Sequence, residues 1–275
     1  MSRRRAVTLA AMLLGTSVAL AGGIEDYSAV TYNMQGSRTN AKDGARWTTD
    51  VTPLVNDGYD IIAVQEAGQP GGAFGNPEEI ASRQCDDGAT YKVTKYDWKS
   101  GQHQRHVYFL QNSQQMNVAF ISKEAALPGK MRSDRGIAII CPQHDNTTRM
   151  ETVRPILGIR MPNGSVFWTM HAGSYGKNHY NDADNIVSAV AKNGGDWAIL
   201  GDFNRDPVQW KKYLEANNAL TFGFVHSGKA THISKSELDF MVVPGSGISS
   251  NYKAEVANGK GSDHFPVRFG LTKKQ

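Results

Sequence analysis

Trp197-Ala198-Ile199-Leu200-Gly201-Asp202-Phe203-Asn204-Arg205-Asp206-Pro207 reads as a strand, a turn and the start of a helix. Its first four residues form a short apolar run of buried-strand length. Asp202 and Asn204 follow where the run stops, and short polar side chains of this kind favour a turn. Pro207 suits the first turn of a helix over Trp210 and Leu214, because the missing N–H has no partner there anyway. The same arrangement recurs in both directions along the chain. Upstream, Asn33 closes Ala29-Val30-Thr31-Tyr32, Glu66 follows Asp60–Gln65, and His171 follows Val166–Met170. Downstream, Asp239 opens Leu238–Val243, and Asp263 and His264 precede Phe265-Pro266-Val267. If these strands lie side by side, their ends meet on one rim, where loops display functional groups on a rigid scaffold.

Further strand-like runs are His106–Gln111, Asn117–Ser122, Ile137–Cys141, Pro155–Arg160 and Phe265–Phe269. They are bounded by Gly, Pro, Asn or Asp. Helical spacing is rarer. Trp47, Val51, Leu54 and Val55 share one face, with Pro53 among them to confine the helix or shift its start. Ile186, Val187 and Val190 mark a second helix. Many strands with interspersed helices predict a sheet sandwich covered by helices, an α/β or α+β architecture. The loop Gly68–Pro77 is too short to separate domains, and no internal repeat appears, so 22–275 reads as a single domain.

Residues 1–21 stand apart from that core. Arg3, Arg4 and Arg5 precede the short apolar run Ala6–Leu20, and Ala19-Leu20-Ala21 has a small-x-small form. This is the pattern of a signal peptide cleaved after Ala21, hence of a secreted protein; a membrane anchor is the alternative, for which the run is short. Cleavage removes three Arg and no acid, which leaves 27 basic against 26 acidic residues, or +1. Overall charge therefore says little about nucleic acid. Its distribution says more: Lys92–Arg160 holds 11 basic and 5 acidic residues, as a polyanion-binding face or merely a solvated surface would. The only cysteines, Cys85 and Cys141, suit one disulfide in an exported chain.

The strand-end residues are chemically coherent. Asn33, Glu66, Asp202, Asn204 and Asp263 offer oxygen ligands, which suit a hard ion such as Mg²⁺. Zinc would favour Cys and His at short spacing, and no such cluster stands out in the sequence. His171 and His264 can move protons near neutral pH. Each residue also has an ordinary reading. An Asn at a strand end is commonly a turn residue, a Glu after an apolar run commonly surface, and Asp202-Phe203-Asn204 alone an Asx-turn. The ordered set is what carries information.

That set is Tyr32-Asn33-Met34-Gln35-Gly36, Val64-Gln65-Glu66-Ala67-Gly68, Arg154–Arg160, Met170-His171-Ala172, Gly201–Pro207, Leu238-Asp239-Phe240 and Ser262-Asp263-His264-Phe265-Pro266-Val267. It resembles the endonuclease/exonuclease/phosphatase superfamily, and within it the branch of cytolethal distending toxin catalytic B subunits. The resemblance runs from about Tyr27 to about Phe269. It implies a deoxyribonuclease I-like fold, a four-layered α/β sandwich of two packed mixed sheets flanked by helices. It also implies roles. Glu66 would hold Mg²⁺ or another hard divalent cation, with Asn33 and Asp263 helping. Asp202 and Asn204 would orient the attacking water and the scissile phosphate. His264, oriented by Asp239, and His171 would face each other across that phosphate, and Arg154 would contact it. Two positions depart from the family pattern. No acid lies between Gln102 and Gln111 to partner His171. Where the family usually has an arginine near Met116–Ser122, this chain has Gln114, Gln115 and Met116, so phosphate or DNA contacts there are either weaker or supplied by Lys123, Arg132 or Arg135.

The function implied is a secreted toxin subunit that nicks DNA in target cells, with separate carrier subunits for delivery. A phosphoinositide phosphatase on the same fold and a catalytically inactive binding module are the alternatives.

Overall fold

A computed structural model describes residues 23–36, 45–71, 74–112, 117–127, 136–141, 154–173, 181–217, 222–245, 248–259 and 261–271. The expected leader, and Gln114, Gln115, Met116, Arg132 and Arg135, lie outside the described residues. In chain order the first strands are β1 (Ala29–Asn33), β2 (Ile61–Gln65), β3 (Glu78–Gln84), β4 (Thr90–Ser100) and β5 (His103–Gln111). Then come β6 (Val118–Ser122), β7 (Ile137–Ile140), β8 (Ile156–Arg160), β9 (Val166–His171) and β10 (Trp197–Asp202). The last are β11 (Phe222–Val225), β12 (Asp239–Pro244), β13 (Tyr252–Val256) and β14 (Val267–Leu271). A π-helical turn (Trp47–Val51) runs into α1 (Thr52–Asn56), and two longer helices follow, α2 (Asn181–Ala191) and α3 (Pro207–Ala216).

The strands form two sheets. One has the order β13-β14-β1-β2-β6-β5-β4-β3 and the other β11-β12-β10-β9-β8-β7. Among the described residues only β1 with β2 and β9 with β10 pair in parallel. Parallel neighbours need a crossover, which here contains α1 and α2 respectively. Parallel pairing also puts both C-terminal strand ends on the same side. That rule alone brings Asn33 beside Glu66, and His171 beside Asp202.

Three apolar layers hold the sandwich together. The central one joins Ala29, Ala63, Phe120 and Val267 of the first sheet to Leu157, Phe167, Leu200 and Met241 of the second. Trp47, Val51, Leu54 and Val55 cover the outer face of the first sheet. Ile186, Val187 and Val190 of α2, with Trp210 and Leu214 of α3, cover the outer face of the second. The result is helix, sheet, sheet, helix, the four layers expected. A buried polar bridge crosses the middle just below the site: Thr31 Oγ1 donates to Gln65 Oε1 at 3.2 Å, and Gln65 Nε2 to Thr169 Oγ1 at 2.9 Å. Cys85 and Cys141 form a disulfide with their Cα atoms 5.7 Å apart. It ties the end of β3 to the end of β7, the edge strands of the two sheets, on the side of the parallel strand ends.

Helix starts follow the expected chemistry. Pro207 opens α3, whose N-cap Asp206 accepts from the backbone N–H of Gln209. Pro53 lies in the first turn of α1 and separates it from the π-helical turn. No helix among the described residues is long and apolar enough to cross a membrane.

Candidate active site

Six of the expected residues are linked directly at the rim. β10 sets the register: Asp202 lies opposite His171 on one side and Asp239 on the other. Gly201, just before, packs so tightly on Met170 that a Cβ there would overlap the Met170 carbonyl oxygen. On the facing sheet, Asn33 Nδ2 lies 3.3 Å from Glu66 Oε1 and 3.0 Å from Asp202 Oδ2. Asp202 Oδ2 is thus the centre of the cluster. It is 3.6 Å from His171 Nε2 and 3.6 Å from His264 Nε2. His171 Nε2 is also 3.9 Å from Glu66 Oε1. His264 Nδ1 meets Asp239 Oδ2 at 2.8 Å, the expected orienting pair.

Asp263 joins this cluster at its edge, with Oδ1 at 3.8 Å from His264 Nε2. Asn204 and Arg154 join on the other flank. Both donate to the carbonyl oxygen of Ala172, Asn204 Nδ2 at 2.9 Å and Arg154 Nη1 at 2.7 Å. Arg154 Nε is buried without a hydrogen-bond partner among the described residues, a donor that suits an anion. Asp202 Oδ1 accepts from the backbone N–H of Asn204 at 2.8 Å. The Asx-turn reading of Asp202-Phe203-Asn204 is therefore correct as well, and one carboxylate does both jobs.

The loops that carry these residues are strained. Gln35, Glu66 and Asn204 adopt left-handed backbone with φ of 47°, 46° and 51°. Such a conformation costs a non-glycine residue about 1 kcal/mol or more and persists only where its surroundings impose it. Gly36 and Gly68 show what imposes it at Glu66. Gly36 N–H donates to Glu66 O at 2.9 Å, and a Cβ on Gly36 would stand 2.6 Å from Gly68 N. The glycines in the first two motifs thus let two site loops pack backbone to backbone.

Burial sets the electrostatics. Asp202 is 1% exposed, and burial together with the Asp239 carboxylate pushes it up to about 7. Burial would lower His264, but the carboxylates of Asp239, Asp202 and Asp263 outweigh it and raise the imidazole to about 9. Four carboxylates (Glu66, Asp202, Asp239 and Asp263) share this rim with two imidazoles. Asp239 Oδ1 and Asp263 Oδ1 are buried with no hydrogen-bond partner among the described residues. Unpaired buried carboxylate oxygens are stabilised by a nearby cation. The donor set accordingly fits a divalent metal, with oxygen ligands suited to a hard one.

Several contributors were not legible beforehand. Thr231 Oγ1 donates to Asp239 Oδ2 at 2.8 Å and accepts from the N–H of Asp239 at 3.0 Å, locking that carboxylate. Ser262 Oγ donates to Asn33 O at 2.7 Å and so joins the last motif to the first. Arg46 donates to Met34 O and Gly261 O and pairs with Asp50 at 3.3 Å. His232 lies 3.4 Å from Asp263. None of these follows an apolar run, and the resemblance assigned none of them a role.

Of the two readings of the basic segment, its described members favour the solvated surface. Lys92 pairs with Glu79, Lys95 with Asp97 and Lys123 with Asp60. Arg105 is buried against backbone carbonyls. Asp60 precedes β2, so Lys123 sits at the opposite end of the sheet from Glu66 and cannot stand in for a phosphate-binding arginine. Of the described members, Arg154 alone has been placed at the site.

Two mixed sheets with a carboxylate–histidine cluster on their rim define a class of phosphate-ester hydrolases. The model of the Endonuclease/Exonuclease/phosphatase family matches residues 30–264, and the chain belongs to that family. Enzymes of this family generally use a divalent metal. More particularly, the chain is 28% identical to the B subunit of cytolethal distending toxin from Escherichia coli, over 89% of this chain and 91% of that protein. It is 29% identical to a homolog of that B subunit in Salmonella typhi, over 90% of each. The crystal structure of the Haemophilus ducreyi cytolethal distending toxin shares the fold at a TM-score of 0.70 and 22% identity, covering 91% of this chain and all of that one (100%). The structure of the biologically active subunit of cytolethal distending toxin matches at a TM-score of 0.69 and 25% identity, covering 90% of this chain and 98% of that one.

Proposed function

We propose that this chain is the catalytic subunit of a secreted toxin and hydrolyses DNA phosphodiester bonds inside target cells. Residues 22–275 act as one catalytic domain, delivered by separate carrier subunits. The observation that carries the chemistry is the position of Asp202 Oδ2, 3.6 Å from the Nε2 atoms of both histidines. A phosphate lying over this carboxylate meets an imidazole on each side. The relatives named as toxin subunits support the biological setting.

Each residue has a role in this reading. Glu66, with Asn33 and Asp263, holds Mg²⁺, which when bound neutralises charge on the phosphoryl oxygens. Asp202 and Asn204 orient the attacking water and the scissile group. Asp239 fixes the tautomer of His264 and supports its positive charge, so that Nε2–H can donate to a phosphoryl oxygen. His171 faces it from the other side, and Arg154 steadies a non-bridging oxygen. Water attacks phosphorus in line, the P–O bond to the leaving oxygen breaks, and the two histidines carry the proton traffic.

The test is nicking of supercoiled plasmid by the mature protein with Mg²⁺, with and without chelator, beside His171→Ala and His264→Ala. Metal-dependent nicking that both substitutions abolish is the expected result. Phosphate release from a phosphoinositide without nicking would replace DNA as the substrate, and inertness toward both would leave a binding module.

A further inference from the structure

His232 has no part in the scheme above, although it stands at the rim. It lies in the loop between β11 and β12, and its backbone forms an isolated antiparallel bridge with His264. The bridge is fixed by Phe265 N–H donating to Thr231 O at 2.7 Å and Ile233 N–H donating to Asp263 O at 2.9 Å. Residues directly opposite in such a pairing bring their side chains together. The two rings meet edge to face with centroids 4.6 Å apart. The loop is anchored on both sides of His232: Thr231 Oγ1 donates to Asp239, and Glu237 accepts from the backbone N–H groups of Ser227 and Gly228.

The tautomer of His232 follows from its surroundings. Ser234 N–H donates to Nδ1 at 3.0 Å, so Nδ1 presents its lone pair and the ring proton sits on Nε2. Ser234 Oγ, 2.7 Å from the same nitrogen, can then only donate to it. Nε2 faces Asp263 Oδ2 at 3.4 Å. The Asp263 carboxylate has little other support. The N–H of Asp263 donates to Gln35 Oε1 at 3.2 Å, but this bond holds the backbone. The second carboxylate oxygen, Oδ1, is buried with no hydrogen-bond partner among the described residues and lies 3.8 Å from His264 Nε2. The carboxylate thus stands between two imidazoles, one paired with Asp239 and one carried by this loop.

We propose that His232 is a positioning residue for Asp263. This rests on the reading above, in which Asp263 helps to hold the divalent ion. The Nε2–H of His232 takes up Oδ2 and leaves Oδ1 for the ion. The 3.4 Å separation exceeds an ordinary N–H···O bond of about 2.7–3.2 Å, and a small turn of either side chain closes it. Carboxylates that ligate metals are themselves held by hydrogen bonds, and loss of such a partner weakens the metal site. A donor that cannot also be a ligand suits the task. The lone pair of His232 is turned into its own loop at Nδ1, so the ring orients Asp263 without competing for the ion. The backbone bridge supplies the rigidity, because it joins the donor's residue to the residue that follows the acceptor. The role requires only an N–H at the place of Nε2, so a glutamine amide can fill it.

Mn²⁺, which favours the same oxygen ligands as Mg²⁺ and is read by electron paramagnetic resonance, tests the role in the mature protein without DNA. Stoichiometric binding by the parent is expected. His232→Phe keeps a ring against His264 but removes the donor, and should weaken Mn²⁺ binding by about 10- to 100-fold. His232→Ala removes ring and donor together and should weaken it as much. His232→Gln restores an N–H donor without the ring and should recover most of the loss. Thermal melts establish that each variant is folded. Affinity unchanged in His232→Phe and His232→Ala, or a His232→Gln no tighter than His232→Phe, overturns the role. So does a parent that binds no Mn²⁺. Binding that depends on His232 in this way, in a protein that nicks no plasmid, keeps the role and contradicts the nuclease reading instead.

Discussion

Asp202 and Glu237 are buried to a similar degree, at 1% and 7% exposure, and are electrostatic opposites. Glu237 is saturated with donors. Its Oε1 accepts from Ser227 N at 2.7 Å, Ser227 Oγ at 2.8 Å and Gly228 N at 3.0 Å, and its Oε2 lies 3.1 Å from His226 Nδ1. Burial would raise it, but these partners outweigh burial and hold it below its ordinary value. Asp202 has an N–H donor from Asn204 and another from Asn33, yet faces Asp239 in a dry pocket and is pushed upward. The difference separates two uses of a buried acid. Glu237 anchors the turn at the head of the loop that carries Thr231 and His232. Asp202 is held where its charge is unfavourable, as perturbed groups at functional sites commonly are.

The largest effect that would break this contrast is at His264. His264→Ala should lower the nicking rate by about 10³-fold or more, within the range of an acid–base group. The melting temperature should fall as well, because the removed ring leaves the buried Asp239 and Asp202 carboxylates without their cationic partner, so the rate is taken per folded molecule. Rate and thermal melt measured on the same preparation decide it.

Reducing the disulfide comes next. Cys85 and Cys141 are 56 residues apart, and closing a loop of that size stabilises by about 4 kcal/mol in the chain-entropy model. Denaturant unfolding with and without reductant should show a loss of that order, together with weaker nicking, since the bond ties the two sheets on the side of the site.

Glu237→Gln should cost about 2 kcal/mol, because an amide cannot accept from the backbone N–H groups as a carboxylate does. The nicking rate per folded molecule should stay within about threefold of the parent. Loss of activity equal to that of His264→Ala would erase the distinction between anchor and site.

The smallest effect is in pH. The hydrogen bond with Glu237 holds His226 above its ordinary value of 6.5, so its stabilisation is complete below 6.5 and fades as pH rises through the elevated value. Glu237 is held below its ordinary 4.5, so its contribution is complete above 4.5 and is lost as pH falls through the lowered value. Both contributions are full between those limits. Melting temperature across this range and up to about pH 8 should fall on the alkaline side, and less so in Glu237→Gln.

The legibility of the sequence follows the same division. Ten strands stood out as apolar runs, because β1, β2, β6, β9 and β10 are buried on both faces. β3, β11 and β13 did not. They are edge strands, half exposed, and edges tolerate the charged and small residues that hide a strand pattern. The long strand β4 escaped for a related reason: Lys92, Asp97 and Lys99 point to solvent along its length. At the site, residues placed by strand ends were legible, since Asn33, Glu66, His171, Asp202 and Asp239 each sit at or beside the boundary of an apolar run. Asp263 and His264, four and three residues before β14, came from the same signal. Thr231, Ser262, Arg46 and His232 were not legible, because tertiary loop contacts rather than local pattern bring them in.

The most direct test of the account is Asp202→Asn, with nicking rate and unfolding free energy measured together. An amide keeps the shape and removes the charge that burial and Asp239 oppose. Nicking should fall at least about 100-fold while stability holds or rises, since one buried repulsion is gone. Retained nicking, or a loss of about 2 kcal/mol of stability like that expected for Glu237→Gln, would contradict it.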